Sequence, residues 1–506
     1  MKPLTISLIS AAVLATLPGT TAAQNDTGGN ALTIYSSARP GAISPELYRG
    51  GGNGQAVPGY AVVRQQRELA LSRGRNTVRF TDVAGLIDPT TVSFQSLTDP
   101  AGTSVIEQNF QFDLVNTKKL LQKYIDRRIS VDQVRGNGTE SFAGTLLSTN
   151  DDGLVLKRDD GIIQTLPYNA GIRLPELPGG LITRPTLVWD INTNRAGTHN
   201  AQVSYQSTGI TWWTDYNITY QEGANANSCK LDVAAWVSII NQSGASYADA
   251  KLKLVAGDVQ RAQPQGRVYA APVAQRAMAS EMSAKGFEEK EFFEYHLYTL
   301  GRPTTLPDNS TKQIELFPTA RAVPCEKNLV YYGAAGARPY GSPATDRTYG
   351  VQSNKKVDVY LGFKNAKEQN MGMPLPAGRI RVSKLDESDK TLEFIGEDVI
   401  DHTARNEQLL IKLGSAFDVV GERRQVNFSV DSSRKTMTEE IEVKVRNQKK
   451  ETVTVMVREN LYRWTNWNIT NKSHDYRKDD ARTVTFPAKI PAGEEAVVRY
   501  TVQYRW

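Results

Sequence analysis

Apolar and polar residues alternate along most of this chain. Thr, Val, Ile and Tyr are enriched in the runs and Gly, Pro, Asn and Asp break them, the pattern of half-buried β-strands. Residues 202–220 (QVSYQSTGITWWTDYNITY) predict two strands about Thr208-Gly209. Residues 231–240 and 250–256 predict two more, joined by the turn Asn241-Gln242-Ser243-Gly244. Each pair is expected to be antiparallel, with one face buried and one face wet. Strands follow at 292–300 and 312–317. Beyond about residue 431, strands at 441–445, 452–457, 482–486 and 497–506 fall at the spacing of an immunoglobulin-like sandwich.

The period changes in two places. Residues 116–128 (NTKKLLQKYIDRR) predict a short basic helix, with Leu120, Leu121 and Tyr124 on one side and Lys119, Lys123 and Arg127 on another. Residues 259–290 lose all periodicity in a run of Ala, Gln, Ser, Gly and Pro, which reads as a mobile insertion. Between them, residues 129–169 predict a small barrel-like unit, with strands at 145–148, 154–157 and 162–166 and hairpin turns at Asp152-Gly153 and Asp160-Gly161. The spacing of those aspartates fails the calcium-loop pattern, and turn chemistry accounts for them. No exact repeat is found, although two similar β units flanking the insertion remain open.

The fold class expected is therefore mainly β: a multi-domain β-sandwich architecture with a C-terminal immunoglobulin-like domain, a small barrel-like unit and one short basic helix. The boundaries read as a signal peptide at 1–23, an N-terminal β domain at 24–115 with a glycine-rich loop at 50–54, and the helix plus barrel-like unit at 116–180. A core sandwich at 181–430 carries the insertion, and the terminal sandwich occupies 431–506.

The first segment sets the compartment. Lys2 precedes an apolar run at 4–17, and Thr21-Ala22-Ala23 supply small residues for cleavage, giving a mature start at Gln24. That run is shorter than the about 20 residues a membrane helix needs, and no later run reaches that length. Export to the periplasm or cell surface is expected, with peripheral membrane association. In that setting Cys229 and Cys325 would form one disulfide, the alternative being two separately buried thiols. A net charge of +6, from 60 Lys and Arg against 54 Asp and Glu, is too evenly spread to select a polyanionic partner.

No nucleophile elbow, P-loop or dinucleotide fingerprint is present, and no motif implies a cofactor or a metal. His199, His296, His402 and His474 stand far apart without zinc-ligand spacing. The best acid–base pair is Glu294 with His296, two apart on one strand face, with Asp258 as a third group; the competing account is a histidine hydrogen-bonded within the sandwich. Trp213 and Asp215 share one strand face, and Trp212, Thr214 and Tyr216 the other, so the two tryptophans cannot make one flat platform. Arg463, Trp464 and Trp467 form a second patch in a turn-rich segment and are expected to be exposed. Lys119, Lys123 and Arg127 form the strongest local basic patch, a candidate for nucleic acid. Val498, Tyr500, Val502 and Tyr504 alternate to the end of the chain, as in a closing sandwich strand or a barrel insertion signal.

Three stretches, STGITWWTDYNITY (207–220), LDVAAWVSIINQSGASYADAKLKLVAGDV (231–259) and EYHLYTLGRPTTLPDNSTKQIELF (294–317), occur in order and resemble an uncharacterised bacterial family. It is the domain-of-unknown-function family found in mucoidy-inhibitor-A-like envelope proteins, and the resemblance covers about 181–506. It implies export, a β-sandwich architecture and an envelope-associated role, and supplies no catalytic residues. The long coiled coil of many relatives has no counterpart here. A structural or interaction protein binding envelope proteins or surface polymer is the leading expectation. The alternatives are a DNA-binding protein using the basic patches and an envelope hydrolase centred on Glu294 and His296.

Overall fold

The computed structural model describes residues 29–36, 43, 47, 57–81, 83–135, 138–150, 153–167, 171–179, 181–257, 259, 287–334 and 341–506. The expected leader at 1–23, the loop at 50–54, Asp258 and nearly all of the insertion lie outside the described residues. The described chain is mainly β, in sheets of thirteen, eight, five and three strands. Side chains from the thirteen-, eight- and three-stranded sheets share one core, and a second core lies in the C-terminal part.

Both expected hairpins are sheet-to-sheet crossings. Gly197–Thr208 lies in the eight-stranded sheet and Ile210–Glu222 in the thirteen-stranded one. Gly209 turns the corner between them at φ +78, where a Cβ would stand 2.7 Å from the Gln242 carbonyl oxygen. Likewise Ser228–Asn241 and Tyr247–Ala256 belong to different sheets. The two corners bond to each other, Gln242 N–H donating to the Gly209 carbonyl at 2.7 Å. A period of two cannot separate a hairpin from a crossing, because both bury alternate residues.

The second corner recurs. Asn241 Nδ2 lies 2.9, 3.2 and 3.0 Å from the carbonyl oxygens of Ala245, Leu306 and Pro307. Asn447 Nδ2 makes the same set, at 2.8, 3.2 and 2.9 Å from those of Glu451, Ile490 and Pro491. The strand pairing recurs with it. Ser228–Asn241 pairs antiparallel with Ser310–Tyr332, while Tyr247–Ala256 pairs with Tyr295–Leu300 and Thr304–Leu306. Thr436–Asn447 pairs with Glu495–Arg505, while Val453–Asn460 pairs with Thr483–Ile490. The chain thus holds two copies of one asparagine-clamped arch, and the insertion lies inside the first copy. Since both asparagines are buried, Asn447→Ala is expected to cost about 2–3 kcal/mol through the donors lost to the Glu451 and Ile490 carbonyls, the Pro491 carbonyl keeping the Glu494 N–H at 3.3 Å. Urea unfolding checks this, and an unchanged midpoint would deny the amide its role as clamp.

Two features differ from expectation. The 24-residue strand Gln408–Asp431 pairs with Lys356–Lys364 on the family side and with Thr436–Asn447 on the C-terminal side. One sheet therefore runs through both parts, and the pairing does not define a separate immunoglobulin-like sandwich. The five-stranded sheet, ordered Gly171–Arg173, Arg128–Arg135, Gly138–Asn150, Gly153–Arg158, Ile163–Leu166, stays open. No barrel closes, because its outer strands have only three and four residues. In the terminal strand, Val498, Tyr500, Val502 and Tyr504 are buried against the chain's own core. Cys229 and Cys325 sit opposite each other in the ladder and form a disulfide across 4.8 Å between Cα atoms.

Candidate binding site at the mouth of a curled sheet

Seven consecutive strands of the large sheet, from Leu392–Ile400 through Gly378–Leu385, Ile210–Glu222, Ser228–Asn241, Ser310–Tyr332 and Lys356–Lys364 to Gln408–Asp431, curl until the outer two meet. The seam has no backbone ladder; Lys412 N–H donates to Asp398 Oδ2 at 2.7 Å instead. Gly396 lets the strands close up, since a Cβ there would stand 2.5 Å from the Leu413 carbonyl oxygen. Inward-facing residues such as Tyr216, Ile218, Val233, Val382 and Ile411 fill the axis.

At one end that filling stops and a cavity of about 260 Å³ opens. Tyr220, Val359, Leu361, Ile395 and Leu413 form its apolar walls, and Glu222, Lys327, Lys384 and Ser415 its polar rim. Lys384 Nζ is 2.6 Å from Glu222 Oε1, and this hydrogen bond and charge hold the carboxyl below its ordinary range. Lys327 is different. Among the described residues it has no carboxylate within 4.0 Å, and its ammonium is pushed down first by burial and then by the charge of Lys449. Lys449 and Glu451 belong to the second asparagine arch, whose charges reach both Lys327 and Glu222. Burial, with Glu222 and Glu451, raises the Tyr220 phenol. The disulfide closes the same end: Cys229 faces Glu222 in the ladder, and Cys325 is two residues from Lys327. The lining comes from six strands spread over residues 220–415, and only the cysteines marked this end in the sequence.

The acid–base candidates separate. Glu294 lies exposed in the turn of a hairpin, whereas His296 Nδ1–H donates to Glu289 Oε1 at 2.7 Å. Arg405 binds the other Glu289 oxygen. Burial works to raise the Glu289 pKa, but the bonds and charges of His296 and Arg405 outweigh it and hold the carboxyl low. A lowered carboxylate stabilises the fold above its unfolded value of about 4.5 and loses that contribution as pH falls through the folded value. Glu289→Gln is therefore expected to flatten the loss of stability in acid, read as urea midpoints across the acid range. An unaltered slope would count against this linkage.

The other residues singled out by sequence are dispersed. Trp213 Nε1–H donates to Asp215 Oδ2 at 2.8 Å, as their shared face implies, and Ser238 Oγ–H adds a bond of 3.1 Å. Arg379 and Arg381 stand 3.6 and 3.4 Å from the same carboxylate, which makes Asp215 a node that the sequence reading left without a partner. Arg463, expected at the surface, is wholly buried; Trp464 and Trp467 are half-buried, and Lys478 Nζ lies 4.8 Å from the Trp467 ring centre. The basic helix spans only Thr117–Lys123. Asp126, at φ 63, turns the chain away, so Arg127 is off the helix, and Lys119 pairs with Asp113 at 2.7 Å. Lys123 remains exposed.

A profile described as "Domain of unknown function (DUF4139)" matches residues 201–506. The match starts later than the expected 181 and takes in the whole curl and both arches. Comparison with curated proteins and with solved structures finds no match.

Proposed function

The chain belongs to the DUF4139 family, and from that premise we propose that it is an exported, non-catalytic structural and interaction protein of the cell envelope, a relative of the mucoidy-inhibitor-A-like proteins. The observation that carries this reading is the mouth of the curled sheet. Apolar walls end in a charged rim, which is the build of a small-molecule binding site. The acid–base candidate His296 is instead held with Glu289 and Arg405 in an ion-pair cluster away from the cavity lining. The leader at 1–23 supports export, and the open cavity supports a ligand or a partner group seated in the mouth. The stacked sheets supply surfaces for envelope proteins or surface polymer.

Crosslinking in intact cells followed by isolation of the envelope fraction tests the proposal. Recovery of the chain with defined envelope partners is expected. Recovery as a free monomer outside that fraction would overturn it.

A further inference from the structure

Four features of the mouth point to a single ligand chemistry. The cavity is lined by five apolar side chains together with the charged side chains of Glu222, Lys327 and Lys384. Lys384 and Glu222 neutralise each other at 2.6 Å. Lys327, on the same rim, has no carboxylate within ion-pair distance among the described residues. Lys449 and Glu451 of the second arch lie outside the lining, but their charges reach Lys327, the lysine lowering its pKa and the glutamate raising it. Glu222 and Glu451 act on Lys327 only from beyond 4.0 Å, and an anion seated beside a partly buried cation lowers the cost of burying it.

Size narrows the choice further. An apolar cavity of about 150 Å³ accepts benzene, so a cavity of about 260 Å³ has room for roughly ten heavy atoms on the same scale. Inorganic anions would leave the walls formed by Tyr220, Leu361, Ile395 and Leu413 wet. A neutral apolar molecule would leave Lys327 without a close counter-charge.

We infer that the mouth binds an amphipathic monoanion of the medium-chain carboxylate class, with its head at Lys327 and its apolar body against Tyr220, Leu361, Ile395 and Leu413. This rests on the reading of the mouth as a binding site and adds the chemistry of its occupant. The Glu222–Lys384 pair is already compensated and leaves Lys327 as the cation available to the head group. Lys449, whose charge reaches Lys327, raises the local concentration of anions in a salt-dependent way.

Isothermal titration of the full disulfide-bonded chain with octanoate, octanol, octylamine and acetate provides the test. Octanoate is expected to bind one per chain, with octanol at least about tenfold weaker and with no saturable binding of octylamine or acetate. Lys327→Met should weaken octanoate about tenfold or more and leave octanol unchanged. Ile395→Trp, which fills the cavity, should abolish both. Thermal unfolding confirms that each variant is folded; should Lys327→Met fail to fold, Lys449→Met, on the arch, must weaken octanoate in the same direction. Octylamine binding as well as octanoate, or octanoate binding untouched by both lysine substitutions, overturns the inference, as does no octanoate binding at millimolar concentration. Envelope crosslinks without octanoate binding remove only the ligand class, whereas octanoate binding without envelope association removes the envelope role and leaves the ligand site standing.

Discussion

Arg463→Met is expected to lower folding stability by about 3–5 kcal/mol, the range for breaking a buried ion pair by removing one partner. The guanidinium is fully buried and lies 3.0 Å from Glu439 Oε1, a meeting of charges more than an aligned hydrogen bond. Its Nη1 donates to the Ala344 and Asp346 carbonyls at 2.8 and 2.7 Å, and its Nη2 to the Tyr349 carbonyl at 3.0 Å. It also stacks 4.2 Å from the Phe428 ring centre. Removing it takes the cation from Glu439 and one donor from each of three loop carbonyls, of which Asp346 keeps the Tyr349 N–H and Tyr349 the Tyr462 hydroxyl, beside a second buried pair, Arg423–Glu459, at 2.8 Å. The pH dependence identifies the cause. Burial raises the Glu439 pKa above its ordinary 4.5 against the pull of Arg463 and Arg423. The folded chain therefore holds that proton more readily than the unfolded one, and the contribution of Glu439 falls as pH rises through the folded value. Without Arg463 the carboxyl moves higher still, so the deficit should be largest near about pH 7 and smaller near about pH 4. Glu439→Gln in the same chain should recover part of the loss. Urea unfolding of the single and double variants at both pH values decides the matter; a loss under about 1 kcal/mol, or one blind to pH and to Glu439→Gln, would mean the pair does not anchor the loop.

That arginine also marks where reading the sequence stops. A charged residue in a turn-rich segment just before two tryptophans reads as surface, because nothing local reveals that the loop at 341–354 folds back and presents its carbonyls. Strand existence was legible at 202–220 and at 497–506, since alternation is a local property. Pairing was not legible, because Gly209 and Asn241 can close a hairpin or turn a corner with the same pattern of buried residues. His296 pairs with Glu289 rather than Glu294 for a similar reason: the partner lies across a hairpin whose turn passes through Phe293 at φ 60, and a two-residue spacing cannot see across it. The mouth was the least legible feature of all. Lys327 and Lys384 are ordinary strand lysines until the sheet curls and brings them to one rim.

Removing the disulfide is expected to have the other large effect, and here the sequence and the fold argue together. Cys229 and Cys325 close a loop 96 residues long. The chain-entropy account assigns about 4.7 kcal/mol to a loop of about 100 residues, and native disulfides measured by removal give about 2–5. The long insertion between residues 259 and 290 lies inside that loop, so the unfolded ensemble gains its freedom as well when the crosslink is absent. In the folded state little else is lost. The strands on either side remain laddered, from Ser228 opposite Glu326 to Leu231 opposite Val323, so Cys229→Ala with Cys325→Ala should keep the fold and lose about 3–4 kcal/mol. Treatment of the wild type with a thiol reductant should bring its guanidinium midpoint to that of the double variant, and the double variant should ignore the reductant. Equal midpoints for all forms would show that the ladder alone holds these strands. Because Cys229 faces Glu222 and Cys325 stands two residues from Lys327, the same crosslink fixes the spacing of the rim. Its loss should therefore weaken binding at the mouth even where the fold survives, by loosening the strand ends that carry the two charged side chains.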